Sequence, residues 1–154
     1  MSISIRELIL QDIETTLKTI TVANGYNNTL ASVQRWKQHG NDTRLMPFVV
    51  INAGLEAKQP ANSDQKVCKF SIYLDLWMRQ DDTDITDTDI ILNSLLLDIE
   101  KALMIDIARN DKAENTEIVN IVPFETVEGQ PNCGLIIELE ITYQHKNADS
   151  SVYV

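Results

Sequence analysis

The densest group of side chains able to do chemistry in this sequence is acidic: Asp81, Asp82, Asp84, Asp87 and Asp89 crowd one short stretch, QDDTDITDTD. Clustered carboxylates hold calcium when a loop aims them inward, and an EF-hand loop wants glycine at its sixth position and glutamate at its twelfth. Counted from Asp82 those positions are Asp87 and Asn93, so the match fails. The expectation is a solvated acidic turn leading into a helix. His39 and His145 have no cysteine or carboxylate at ligand spacing, so no metal site is expected. Cys68 and Cys133 are too few for a disulfide framework, and each falls on the inward phase of a strand, where cysteine acts as a small hydrophobe. Free buried thiols of a cytoplasmic protein are the expectation. No GxSxG, CxxC, HExxH or glycine-rich phosphate loop is present, and five glycines leave little of the tight backbone that phosphate sites use. An enzyme and a cofactor are therefore not expected, although a triad assembled only in space escapes this kind of reading.

Trp36 and Trp77 have the rings to stack on bases or sugars, but their neighbours are not basic. Aromatics at a subunit boundary are the more economical account. The net charge of −10 agrees, because wrapping nucleic acid rests on lysines and arginines that neutralise phosphates. It leaves room for a protein that surrounds DNA without gripping it, since an acidic lumen repels a passing polyanion and keeps it mobile. No apolar run approaches the roughly 20 residues that span a bilayer, and MSISIRELILQDIE lacks the parts of a secretion signal. No membrane association is expected.

The elements that must position these residues are organised around one stretch, VCKFSIYLDLWMR, residues 67–79. Cys68, Phe70, Ile72, Leu74, Leu76 and Met78 alternate with Val67, Lys69, Ser71, Tyr73, Asp75, Trp77 and Arg79, which predicts a long strand with one continuous apolar face. Residues 3–20 predict an amphipathic helix with Ser4 as cap and Glu7 completing a capping box. Residues 29–38 and 45–57 predict two strands separated by a turn at 39–43. Residues 58–65, KQPANSDQ, read as a projecting hairpin loop. A second helix over 87–107, capped by Asp87 or Thr88, presents Ile91, Leu95, Ile99 and Leu103 as one stripe, widened by Leu92, Leu96 and Ala102. Residues 117–128 predict a strand partly buried on both faces, and 133–143 a cleanly alternating one. Residues 145–154 read as a flexible tail. The length of 154 residues suits one domain with a proper core.

The order α-β-β-β-α-β-β predicts a single α+β domain, residues 1–154. It has two layers: a mainly antiparallel sheet of about five strands and two helices on one face. The second face of such a sheet should meet water, yet it carries Tyr73, Trp77 and Ile136, which hints at subunit contact.

In this layout the chain resembles the tail-terminator and tail-to-head joining proteins of tailed bacteriophages, the lambda-type minor tail proteins. The likeness runs from the opening helix through SVQRW, FSIYLDLWMRQDD and IILNSLLLDIEKAL to a final LIIELEITYQ. The resemblance implies a structural virion protein, assembled in the host cytoplasm, that forms a ring, usually of six subunits. The ring would cap the head-proximal end of the tail tube, stop its polymerisation and meet the head-completion or neck proteins, with DNA passing only as cargo. It would place Trp36, Tyr73, Trp77 and Arg79 near the subunit boundary. Lys58, Gln59, Pro60, Asn62 and Asp64 would then contact a neighbour or the tube, and acidic residues would line the lumen. The rival readings are another neck, head-completion or minor tail protein, and, in another class, a cytoplasmic ligand-binding α+β domain whose exposed aromatics form a pocket wall. An enzyme with a spatially assembled site is a third.

Overall fold

A computed structural model describes residues 1–35, 46–79, 85–124 and 132–154. In chain order these form α1 (Ile5–Lys18), a 3-10 turn (Val22–Asn24), β1 (Ser32–Arg35), β2 (Phe48–Pro60), β3 (Gln65–Arg79), α2 (Ile85–Met104), β4 (Asn115–Pro123), β5 (Asn132–Lys146) and β6 (Asp149–Tyr153). The chain is an α+β protein with one sheet in the order β1-β2-β3-β5-β4, and β6 pairs with β5 beyond that path.

Strand β3 sits in the middle because its alternation lets it bury one whole face. Cys68, Phe70, Ile72, Leu74 and Leu76 are inaccessible to water and Met78 nearly so. Burial of an aliphatic or aromatic side chain of this size contributes about 1.5–3 kcal/mol. Strand β5 answers with Leu135, Ile137, Leu139, Ile141 and Tyr143, in a register that sets Leu76 opposite Leu135 and Phe70 opposite Ile141. Both helices cover this face. From α1 come Ile5, Ile9, Ile13 and Leu17, and from α2 Leu92, Leu95, Ile99, Ala102 and Leu103. Ile91, expected in the α2 stripe, is instead 43% exposed, because the helix is rotated to bury Leu92.

Several expectations are corrected. Strand β1 runs parallel to β2, not antiparallel. The interval between Arg35 and Phe48 is a dozen residues, about the length a parallel crossover needs, and alternation within a strand carries no information about its direction. Strand β4 is exposed from Val119 onward and not buried on both faces, because it is a sheet edge paired only with β5. Residues 145–154, expected as a flexible tail, turn back as a hairpin in which His145 pairs with Tyr153 and Lys146 with Asp149. Half of the projecting loop expected at 58–65 is strand. Lys58, Gln59 and Pro60 belong to β2, and only 61–64 separate it from β3. That turn is tied down by Asn147, whose backbone N–H donates to the Asp64 carbonyl at 2.7 Å and whose amide donates to Ser63 at 2.8 Å. Half of the capping box forms. Ser4 Oγ accepts from the Glu7 N–H at 3.2 Å, while the Glu7 carboxylate makes a bidentate pair with Arg35 of β1 at 2.6 and 2.9 Å. That guanidinium holds the Glu7 carboxyl below the usual range. Asp87 is not the α2 cap, since the helix begins two residues earlier.

One buried carboxylate was invisible to periodicity. Asp98 of α2 is 1% exposed and accepts from the backbone N–H and side-chain amide of both Asn27 and Asn28, at 2.8 to 3.2 Å. It clasps the connection that follows α1 to the middle of α2. Hydrogen bonds to an ionised acceptor are worth more than neutral ones, and removing the acceptor strands its donors. Asp98→Ala should therefore lower stability by about 2 kcal/mol, read as a fall in the urea midpoint with unchanged slope. A shift within error would show that the clasp contributes nothing.

Candidate functional site

The face of the sheet turned away from the helices is built by the other phase of each strand, and it divides into two regions. At one end Phe48, Trp77 and Phe124 form a three-ring stack. Trp77 lies 6.3 Å from Phe48 and 4.3 Å from Phe124 between ring centroids, with interplanar angles of 22° and 23°. Register explains the first contact, since Phe48 is the β2 partner of Trp77. A glycine explains the second. The β5 partner of Trp77 is Gly134, and a Cβ there would stand 1.9 Å from the Leu76 carbonyl oxygen and 2.7 Å from the Phe124 ring. Phe124 lies in the space that the missing side chain leaves, its N–H donating to the Gly134 carbonyl at 3.0 Å. Offset aromatic contacts of this kind add about 0.5–1.5 kcal/mol beyond the area they bury. Ile136, half-buried, and Val122, 52% exposed, border the stack.

The middle of the same face is acidic. Asp75 accepts from the Asn52 amide at 2.9 Å and Glu138 from the Asn120 amide at 2.8 Å. Glu140 lies 3.8 Å from Lys69 and faces Glu117 across the β4–β5 ladder. Carboxylates directly opposite one another on a sheet repel, and such a surface attracts cations and turns away polyanions.

The residues expected at the subunit boundary are only partly brought together. Trp77 is half-buried at the centre of the ring stack, so part of its apolar area is already used within the subunit. Tyr73 lies further along β3, its ring over Gly54, where a Cβ would come within 2.5 Å of it. Arg79 is exposed at the end of β3. Trp36 lies outside the described residues, as do His39, Asp81, Asp82 and Asp84. Asp87 and Asp89 are exposed on the first turns of α2. Among the described residues no group of three or more metal-ligating side chains forms, and no helix is long and apolar enough to cross a membrane. Lys58, Gln59, Pro60, Asn62 and Asp64 are all exposed at the end of the β2–β3 hairpin. Cys68 and Cys133 are free and buried, and burial raises both thiols, which keeps them protonated and inert.

Two polar clusters were not foreseen. At the far end of β2, Glu56 accepts from the Tyr143 hydroxyl and pairs with Arg6 of α1 at 3.5 Å and Lys58 at 3.6 Å. Lys58 also donates to Nε2 of the buried His145 at 2.9 Å, and Nδ1–H of that ring donates to the Lys146 carbonyl at 2.7 Å. The available signal was Tyr143 itself, a hydroxyl on the inward phase of an apolar strand. The second cluster lies below α2, where three consecutive residues, Arg109, Asn110 and Asp111, take positive φ of 48°, 54° and 59°. This is a left-handed run that costs about 1–2 kcal/mol per residue. The Asp106 carboxylate holds it by accepting from the N–H groups of Ala108 and Asn110. The run carries the fully buried Arg109 under α1, 3.2 Å from Asp12, with its Nη2 donating to the Leu103 and Asp106 carbonyls. Burial pulls the Arg109 guanidinium down and pushes the Asp12 carboxyl up.

Burial and the Glu56 carboxylate push the Tyr143 phenol far above its ordinary value. The unfolded chain releases that proton near pH 10, so the stability Tyr143 contributes is full below that pH and is lost as pH rises beyond it. An ultraviolet titration should show one of the four tyrosines ionising only as the fold opens, and Tyr143→Phe should abolish that late step. Four phenols ionising together before unfolding would contradict this.

No protein-family model matches the chain, and no curated protein matches it at a significant level.

Proposed function

We propose that the chain is a structural subunit of a bacteriophage tail, a tail-terminator ring that caps the head-proximal end of the tube and offers a surface to the head-completion proteins. The single observation that carries the reading is the uncovered face of the sheet. A two-layer domain buries one face under its helices, and here the other face presents an aromatic and aliphatic end beside an acidic middle. Apolar area of this kind on an open surface marks contact with other chains. The net charge of −10 suits a ring past which DNA slides. The mechanism is geometric. A subunit with two different contact surfaces closes a ring head to tail, and the closed ring covers the growing end of the tube so that no further tube protein adds. The exposed end of the β2–β3 hairpin, at Lys58 to Asp64, would reach a neighbour or the tube.

Light scattering after size exclusion, over a range of concentrations, should show mass climbing from the 17.4 kDa subunit toward six times that value. Trp77→Glu should return the protein to monomer. Because Trp77 also holds the ring stack, Ile136→Glu serves as a second variant, and circular dichroism confirms that each remains folded. A wild-type chain that stays monomeric at high concentration and ignores purified tube would overturn the proposal.

A further inference from the structure

Closing a ring head to tail needs two unlike patches, and the domain has a second one on its opposite side. On α2, Ile90, Leu97 and Met104 are 60%, 55% and 39% exposed. They recur every seven residues, two helical turns, so they line up along one edge of the helix. The buried residues Leu92, Leu95 and Ile99 occupy the other side, which places this stripe on the outside of the helical layer. The free face of the sheet is the outside of the other layer.

We infer that the α2 stripe of one copy packs on the free sheet face of the next, repeating between subunits the helix-on-sheet layering already present within one. This rests on the ring reading and names the two faces that meet. Charge agrees with this pairing of faces. Asp87 and Asp89 are exposed at the start of α2 and Lys101 is exposed near its end, over the Tyr26 ring at 5.6 Å. On the sheet face Arg79 is exposed at the end of β3, and Glu138 lies further along the neighbouring strand. The spacings agree. Twelve helical positions separate Asp89 from Lys101, roughly 18 Å at 1.5 Å each. Arg79 sits level with Asn132, six strand positions from Glu138, roughly 20 Å. Laid along the strands, α2 meets Arg79 with its acidic end and Glu138 with Lys101, while Ile90 and Leu97 come down on Trp77 and Ile136. Two α2 helices laid antiparallel would also set Asp89 against Lys101, but a two-fold contact between identical faces closes a dimer and not a ring.

The test uses two single-cysteine additions, Leu97→Cys and Ile136→Cys, in the full chain, where the native thiols are buried. Mixed and mildly oxidised, the two variants should give a disulfide-linked dimer that neither gives alone. Lys101→Glu should raise the concentration at which the protein associates about fivefold, and Glu138→Lys in the same chain should restore it. If wild type assembles but the mixture stays unlinked, or each variant links to itself, this pairing of faces is wrong while the ring stands. If wild type never associates, alone or on the tube, both fall together.

Discussion

The rest of the structure depends on the pairing of β3 with β5. These two fifteen-residue strands stay in register from Gln65 opposite Lys146 to Arg79 opposite Asn132. This ladder fixes which side chains look toward the helices, because one residue of slip would turn every apolar side chain of β3 outward. It also fixes the outer surface. Trp77 meets Phe124 only because the register puts Gly134 beneath them. Packing under the sheet and the aromatic cluster on top of it are thus two consequences of one alignment.

Polar contacts do a different job, joining elements that the apolar core leaves free to slide. Asp98 anchors the connection after α1 to α2, Arg35 and Glu7 join β1 to α1, and Glu56 joins β2 to β5 and to α1. Each pairs a helix or its connection with a distant strand or helix, or one strand with another. The buried Arg109–Asp12 pair does the same below α2, and the strained backbone that carries it is offset by the Asp106 carboxylate. A layered domain held by apolar contact alone would tolerate many helix positions, and these ties select one.

The parts legible in the sequence were those where one buried face imposes a period. β3, β5 and α1 were readable because nearly every inward residue is apolar and most outward ones are polar. What escaped depended on partners far along the chain. The direction of β1 is set by its neighbour, the exposure of β4 by its place at an edge, and the pairing of 145–154 by a strand end whose composition looks polar. The same holds at the candidate site. Trp77, Tyr73 and Arg79 were correctly placed on the outward phase of β3. The stacking of Trp77 on Phe124 required knowing that β5 presents a glycine there. The α2 stripe was hidden in the opposite way, since Ile90, Leu97 and Met104 look like core residues until the rotation of the helix is known.

The central ladder also has a consequence in time. β3 and β5 are neighbours in the sheet but not in the chain, with α2 and β4 made between them. During synthesis the β2–β3 hairpin emerges first, with the apolar face of β3 uncovered by α2 and its β5 side unpaired. Contacts of such long sequence separation form late and slowly. A nascent chain is therefore open to strand addition along β3 until its last third has been made, and that edge closes only when the fold completes itself.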